Sequence, residues 1–277
     1  MINDNPLSQL TTLLPCVIKL AYTAGDKIMQ IRGRANYDID RKSDNSPVTE
    51  ADYAAHNIIK EGLKSLPQKW PILSEEDPDL AYDSRKKWET YWLIDPLDGT
   101  RDFIAGRETF SVNIALIHKH VSVLGVIQLP VTGECFSAGM NHGAWKQLAN
   151  QKAIAIHTRK FPESTPVVTV SGARRSDILK QCLTNIGEHE LIYIGSSIKS
   201  CRVAEGAVDF YPCLGPTSEW DTAAAQCIVE QAGGQLINVE GKPLSYNERE
   251  TLINPWFVAC GDPEYDCLKY VPERTEA

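Results

Sequence analysis

Tyr91-Trp92-Leu93-Ile94-Asp95-Pro96-Leu97-Asp98-Gly99-Thr100-Arg101-Asp102-Phe103-Ile104 opens as an aromatic and aliphatic run long enough for a buried strand. It then breaks off in two acids separated by Pro-Leu and followed by Gly-Thr. Pro96 restricts the backbone of Asp95 to extended geometry and Gly99 permits a tight turn, so both carboxylates and the Thr100 hydroxyl are expected to point into one small volume. Like charges held that close raise each other's proton affinity unless a cation compensates. Oxygen-only ligands favour a hard divalent ion such as Mg²⁺, which takes one or two carboxylates, keeps some waters and shares its other positions with substrate phosphate. Asp-Pro and Asp-Gly are also common turn dipeptides, and a lone D-P-x-D-G is more often a loop than a metal site. Acids far away in the sequence must decide.

A chain of 277 residues is long enough for one large domain or two modest ones. With 43% hydrophobic and 23% charged residues it is neither a disordered chain nor a small disulfide-built scaffold. The net charge of -8 argues against a partner that is a nucleic-acid polymer, while leaving room for a local basic pocket that takes a small phosphorylated molecule. The eight cysteines show no C-x-x-C and no pairing with histidines at zinc-finger spacing, as expected of reduced thiols in the cytoplasm. The N-terminus lacks the basic start and apolar core of a signal peptide, and no apolar run approaches membrane-spanning length. Peripheral contact with the cytoplasmic face of the inner membrane stays open on these grounds, as does the choice between monomer and homodimer.

Over residues 7–31, apolar side chains recur at three- and four-residue steps, the pattern of an amphipathic helix in which Pro15 marks a kink or a later start. Residues 38–47 are polar and read as a loop or short hairpin. Thr49-Glu50-Ala51-Asp52 is a capping-box start to a helix with Ala51, Ala54, Ala55, Ile58, Ile59 and Leu63 on its apolar side. In that reading Thr49 and Asp52 are capping groups, whereas Asp44 lies upstream of the cap and is not explained by it. Pro71-Ile72-Leu73-Ser74 reads as a short strand that again ends in acids, Glu75-Glu76-Asp77. Ligands gather at such strand ends in open α/β sheets.

Residues 110–117 and 121–128 form an expected antiparallel pair, and 135–138 with 143–146 a further hairpin. These segments give an N-terminal α+β half, residues 1–150, that carries the metal-binding acids. The polar stretch 151–165 is the candidate junction. From there to residue 277, strands at 167–170, 191–194, 208–211, 235–239 and 256–259 alternate with helices at 175–186 and 197–205 in α/β fashion, the expected substrate-binding half. Trp220-Asp221-Thr222-Ala223-Ala224 opens another helix, where the helix dipole would stabilise Asp221 in any protein. The chain carries no internal repeat, Walker A loop, G-x-G-x-x-G, H-E-x-x-H or G-x-S-x-G.

Glu75, Asp95-Pro96-Leu97-Asp98-Gly99-Thr100 and Trp220-Asp221-Thr222-Ala223-Ala224, in this order and spread over nearly the whole chain, resemble the motifs of the inositol monophosphatase superfamily of Mg²⁺-dependent, lithium-sensitive phosphatases. Within it, Lys42-Ser43-Asp44-Asn45-Ser46-Pro47-Val48-Thr49-Glu50-Ala51-Asp52, Leu73-Ser74-Glu75-Glu76-Asp77-Pro78 and Gly195-Ser196-Ser197-Ile198-Lys199 are similar to the CysQ-type 3'(2'),5'-bisphosphate nucleotidases. Those enzymes remove the 3'-phosphate of adenosine 3',5'-bisphosphate, a by-product of sulfate assimilation, to give AMP. The chemistry suits the residues: phosphate monoesters hydrolyse extremely slowly unaided, and clustered Mg²⁺ ions neutralise the phosphate and activate water.

The resemblance implies a fold of α+β and α/β character, layered as an αβαβα sandwich of the sugar-phosphatase type, with two or three Mg²⁺ ions as cofactor. It implies Glu75, Asp95 and the Leu97 carbonyl at one ion, Asp95, Asp98 and Asp221 at a second, and Glu75 with water at a weaker third. The implied catalytic groups are Glu75 and a Thr100 hydroxyl, hydrogen-bonded to Asp44, that orients or deprotonates the attacking water. Backbone amides of Gly99 and Thr100 would hold the phosphate oxygens, with Leu97, Asp98 and Asp221 at the same end of the substrate. Ser196, Ser197, Lys199 and Arg174 are the candidates for the nucleotide end, Lys199 meeting the 5'-phosphate as a point charge. Either serine reads equally as the N-cap of the following helix.

Three positions depart from the CysQ pattern. Arg101-Asp102 stands for Lys-Glu, Ala225 for a Gly, and Ser171-Gly172-Ala173-Arg174 for a Ser-Arg-Ser-His segment associated with nucleotide contacts. The same metals would also serve an inositol or sugar monophosphatase. A catalytically inert regulatory phosphate-binding protein is the alternative of another class, but it would be expected to lack a metal carboxylate, and Glu75, Asp95, Asp98 and Asp221 are all present.

Overall fold

The computed structural model describes residues 5–42, 46–78, 80–172 and 176–273, so two of the candidate residues, Asp44 and Arg174, lie outside the described residues. A 3-10 turn at Pro6–Gln9 leads into helix α1 (Leu10–Arg32). The helix runs through Pro15, which sits near its start and costs a single backbone bond there. Strands β1 (Ile39–Arg41) and β2 (Pro47–Thr49) form an antiparallel hairpin. Helix α2 (Glu50–Ser65) then starts from Thr49 in the expected capping box. Strand β3 (Ile72–Ser74), the short helix α3 (Tyr82–Arg85), strand β4 (Thr90–Asp98) and the single turn α4 (Thr100–Ile104) follow.

Strands β5 (Ser111–His118), β6 (Val121–Gln128), β7 (Glu134–Gly139), β8 (Ala144–Leu148) and β9 (Ile154–Ile156) complete a sheet in which β3 to β9 lie in chain order. Every pairing in it is antiparallel except β3 with β4. The later chain supplies β10 (Val167–Val170), α5 (Asp177–Ile186), β11 (Glu190–Tyr193), α6 (Ile198–Ala204), β12 (Phe210–Cys213), α7 (Glu219–Gln231), β13 (Gln235–Asn238) and β14 (Phe257–Cys260). These strands form a second sheet in the order β11-β10-β12-β14-β13. The α/β expectation holds for its parallel first three strands, whereas β14 and β13 join antiparallel.

Side-chain alternation along β4 explains the layering. Trp92 and Ile94 pack with Ala21 and Ile28 of α1 and Ile59 and Leu63 of α2, while Tyr91 and Leu93 face Ala223, Ala224 and Ile228 of α7. With both faces covered, the strand reads as an unbroken apolar run, and full burial of Trp92 or Tyr91 contributes about 1.5–3 kcal/mol each. A third core sets Val168, Phe210 and Val258 of the second sheet against Cys182 and Leu183 of α5. The layers are therefore α1 and α2, the first sheet, α6 and α7, the second sheet, then α5, the expected αβαβα sandwich. Among the described residues no helix is long and apolar enough to cross a membrane.

Helix α7 carries Asp221, and it lies so close to β6 that a Cβ on Gly125 would stand 2.3 Å from the carbonyl oxygen of Ala224. The obstacle is helix backbone, which cannot turn aside as a side chain would. The methyl of Ala225, one of the departures above, is taken up in the core between the sheets. Gly125→Ala is expected to cost about 1–3 kcal/mol through overpacking. A lower urea midpoint with an unchanged slope would record it, and a midpoint equal to the parent's would refute the close approach.

Candidate metal centre and active site

The two acids of the opening stretch are brought together by an irregularity in β4. Asp95 pairs with Asn113 and Asp98 with Ser111, so three steps along β4 are matched by two along β5. In a regular strand residues three apart face opposite sides; the extra residue of this bulge, at the Pro96 position that lacks a ladder donor, turns both acids the same way. Gly99 follows with a left-handed φ of 101°, and a Cβ there would stand 2.9 Å from the Thr109 carbonyl oxygen.

From the other half of the chain, the start of α7 delivers Asp221. One carboxylate oxygen from each of Asp95, Asp98 and Asp221 lies within 4.8 Å of the others. Each acid also binds protein donors: Asp95 Oδ1 accepts the Leu97 amide at 3.1 Å, Asp98 Oδ2 the Ser197 amide at 2.6 Å, and Asp221 Oδ2 the Ser218 amide at 2.8 Å in the α7 capping box. Burial, and then the neighbouring carboxylates Glu75, Asp98 and Asp221, push the Asp95 carboxyl well above its ordinary pKa. Asp221 is pushed up in the same way, by burial and then by Asp98 and Glu75. A site built only of oxygens whose charges repel at such range fits a hard divalent cation, which reverses the sign of that repulsion.

Glu75 reaches the same cavity from the end of β3, its amide bonded to the Ile94 carbonyl at 3.2 Å, although the three-acid cluster itself is made by Asp95, Asp98 and Asp221. Lys42 of the β1–β2 hairpin donates to Glu75 Oε1 at 2.7 Å and to Glu76 Oε1 at 2.8 Å. Burial raises the Glu76 carboxyl to about 7 against the pull of Lys42. Leu97 lines the cavity too, and its carbonyl oxygen lies 3.2 Å from the Thr100 hydroxyl.

Thr100 Oγ1 donates to Asp52 Oδ1 at 2.9 Å. The partner expected for it, Asp44, lies outside the described residues; the carboxylate found against Thr100 is one read from the sequence as a helix cap. Asp52 is both. Its Oδ2 accepts the Thr49 amide at 2.8 Å and the Thr49 hydroxyl at 2.6 Å, leaving Oδ1 for Thr100. It is 1% exposed, and burial raises its pKa against the hydrogen bonds from Thr49 and Thr100.

A cavity of about 500 Å³ surrounds these acids, and a second of about 490 Å³ adjoins it. They share Asp98, Ser171, Pro216, Thr217 and Asp221. Ser196, Ser197 and Lys199 line the second, together with Tyr211 and Phe257. Ser197 occupies the N-cap position of α6, but its hydroxyl makes no capping bond and lies 2.7 Å from Asp98 Oδ2 instead. Lys199 Nζ donates to the Ser196 carbonyl at 2.7 Å and stands 5.1 Å from the Tyr211 ring centre, with its pKa lowered by burial against the attraction of Asp98. At the departure Arg101-Asp102, Asp102 accepts from Arg107 and from Thr109, and a Cβ on Gly195 would stand 2.3 Å from its Oδ2. The shorter acid thus sits directly beneath the Gly195-Ser196-Ser197 turn.

The Inositol monophosphatase family matches residues 9–262 of the chain, a span that includes every acid described here. The 3'(2'),5'-bisphosphate nucleotidase CysQ of Escherichia coli is 44% identical over 247 residues, covering 88% of this chain and 98% of that protein. The protein of the same name from Haemophilus influenzae is 40% identical, covering 92% and 94%. Among solved structures, CysQ from Bacteroides thetaiotaomicron superimposes with a TM-score of 0.81 at 35% identity, over 95% of this chain and all of its own. The IMPase of Thermotoga maritima gives 0.74 at 25%, over 92% and 94%. Likeness that spans both sheets and every acid of the cluster leaves one conclusion, that this chain belongs to the inositol monophosphatase family, in its CysQ branch.

Proposed function

We propose that this phosphatase hydrolyses the 3'-phosphate of adenosine 3',5'-bisphosphate, giving AMP and phosphate and so supporting sulfate assimilation. In this reading two or three Mg²⁺ ions are held by Glu75, Asp95, Asp98, Asp221 and the Leu97 carbonyl. The observation that carries the substrate choice is the second cavity, about 490 Å³, opening off the acid cluster with a lysine in its wall. An inositol phosphate leaves such a space empty. A nucleoside with a second phosphate fills it and gives Lys199, which bonds the Ser196 backbone carbonyl, an anionic partner as well. The CysQ relatives are named for the same class of substrate.

Bound there, Mg²⁺ neutralises the phosphate, lowers the pKa of water and stabilises the leaving oxygen. The protein's own groups do the rest. Thr100 is already a donor to Asp52, so its oxygen accepts a hydrogen from the attacking water as its own proton moves to Asp52. The water oxygen bonds to phosphorus, the bond to the 3'-oxygen breaks, that oxygen takes a proton from a second water to become the hydroxyl of AMP, and Asp52 returns the proton it received to solvent. Amides of Gly99 and Thr100 hold phosphate oxygens, and Ser196, Lys199 and Arg174 serve the nucleotide end. The eight free thiols fit a cytoplasmic setting.

Parallel kinetics on adenosine 3',5'-bisphosphate, inositol 1-phosphate and a sugar phosphate test the proposal. The bisphosphate is expected to have the highest kcat/KM, with Li⁺ inhibiting by competition at a metal position. Inositol 1-phosphate turned over as well or better would favour a monophosphatase, and no turnover of any substrate would favour an inert binding protein.

A further inference from the structure

We infer that Ser197, backed by Asn113, is a positioning group for the metal carboxylate Asp98 rather than a contact to the nucleotide. This rests on the reading of Asp98 as a metal ligand. Asp98 Oδ2 accepts the Ser197 amide at 2.6 Å and the Ser197 hydroxyl at 2.7 Å, with Asn113 Nδ2 at 3.4 Å. Asn113 Nδ2 also donates to Ser197 Oγ at 2.9 Å, and Asn113 Oδ1 accepts the Ser111 hydroxyl at 2.9 Å. Ser111, Asn113 and Ser197 are all buried, where a hydrogen bond is electrostatically stronger than in water.

The Ser197 hydroxyl oxygen is also 2.7 Å from the Asp221 carbonyl. Its single proton serves one acceptor at a time, and an anionic carboxylate is the stronger of the two. One side chain therefore bridges the end of β4 and the start of α7, the two segments that bring acids to the cluster from opposite halves of the chain. With one carboxylate oxygen gripped by donors, Asp98 cannot rotate, and its other oxygen is left for the cation. The turn that presents Ser197 is built for this. Ser196 adopts a left-handed φ of 51°, unfavourable for a side-chain-bearing residue, and Lys199 Nζ holds its carbonyl at 2.7 Å.

The test is Mn²⁺ binding followed by electron paramagnetic resonance without substrate, on the parent, Ser197→Ala, Ser197→Thr, Asn113→Ala and Asp98→Asn, with thermal midpoints of the metal-free proteins alongside. Ser197→Ala is expected to weaken Mn²⁺ about 10–100-fold. Ser197→Thr, which keeps the hydroxyl, is expected to restore most of that loss. At saturating Mg²⁺ the KM for the bisphosphate should stay at the parental value. Parental Mn²⁺ affinity in Ser197→Ala, with affinity lost in Asp98→Asn, would overturn the inference and leave the metal centre standing. Parental affinity in both would bring down the metal reading of Asp98 itself. A raised KM with unchanged Mn²⁺ binding would return Ser197 to the nucleotide. Should Ser197→Ala fail to fold, Asn113→Ala carries the same expectation in smaller degree, and parental affinity there would overturn it.

Discussion

Asp95→Asn is expected to remove turnover while making the metal-free protein more stable. The side chain is 1% exposed and its pKa is driven up by burial and by Glu75, Asp98 and Asp221. An amide keeps the shape and can still accept the Leu97 amide hydrogen as Asp95 does at 3.1 Å, but it no longer contributes charge to a cation. Losing several kcal/mol of charge stabilisation at the phosphate corresponds to roughly a thousandfold or more in kcat. The stability change has the opposite sign. A carboxyl with a raised folded-state pKa binds its proton more tightly in the native state, so metal-free stability falls as pH rises from the ordinary carboxylate range towards that folded pKa. The amide escapes this penalty, and its advantage should grow over the same pH range. Saturating Mg²⁺ should raise the thermal midpoint of the parent and not of the variant, reversing their order. A variant with parental kcat, or one less stable than the parent without metal, would count against Asp95 as the centre of the cluster.

What could be read from the sequence depended on whether a residue's role was local. The strand ending in Asp95 and Asp98, the capping box at Thr49 and the helix opening at Asp221 each rest on neighbours a few positions away, and each is found where the pattern puts it. The bulge at Pro96 and Leu97 follows from local chemistry too, since a proline cannot donate in the ladder. Asp52 was hidden by its own success as a cap: one oxygen satisfies Thr49, and nothing in the sequence reports that the other meets a hydroxyl 48 residues later. Ser197 was misleading for the same reason. A serine before a helix reads as a cap or a ligand, while its bond to Asp98 spans 99 residues. Lys42 gave no signal because a lysine in a polar hairpin is ordinary, and its pairing with Glu75 and Glu76 exists only once β3 lies beside that hairpin. The antiparallel entry of β13 and β14 was equally invisible, because strand direction depends on the path of the long connection between them.

The two roles of Asp52 can be separated by experiment. Thr100→Val removes the hydroxyl that donates at 2.9 Å and leaves the capping bonds of Asp52 Oδ2 in place. Its kcat is expected to fall about 10²–10⁴-fold, the usual worth of a positioned proton acceptor, with a small change in thermal midpoint. Asp52→Asn should lose a similar factor in kcat with little loss of stability, because its amide oxygen can keep the bonds from Thr49 and the neutral group escapes the burial penalty that raises the Asp52 pKa. Since the base must be ionised and burial raises the Asp52 pKa, the parental rate should fall on the acid side at a pH above the ordinary carboxylate range, and Asp52→Asn should not show that limb. The double variant decides whether the residues act together. If the proton passes from water to Thr100 as Thr100 passes its own to Asp52, breaking either link breaks the path, and Asp52→Asn with Thr100→Val should be hardly slower than the worse single variant. A double variant whose loss equals the product of the two single losses would mean that Thr100 and Asp52 act independently, with Asp52 returned to the helix cap that its sequence position first announced.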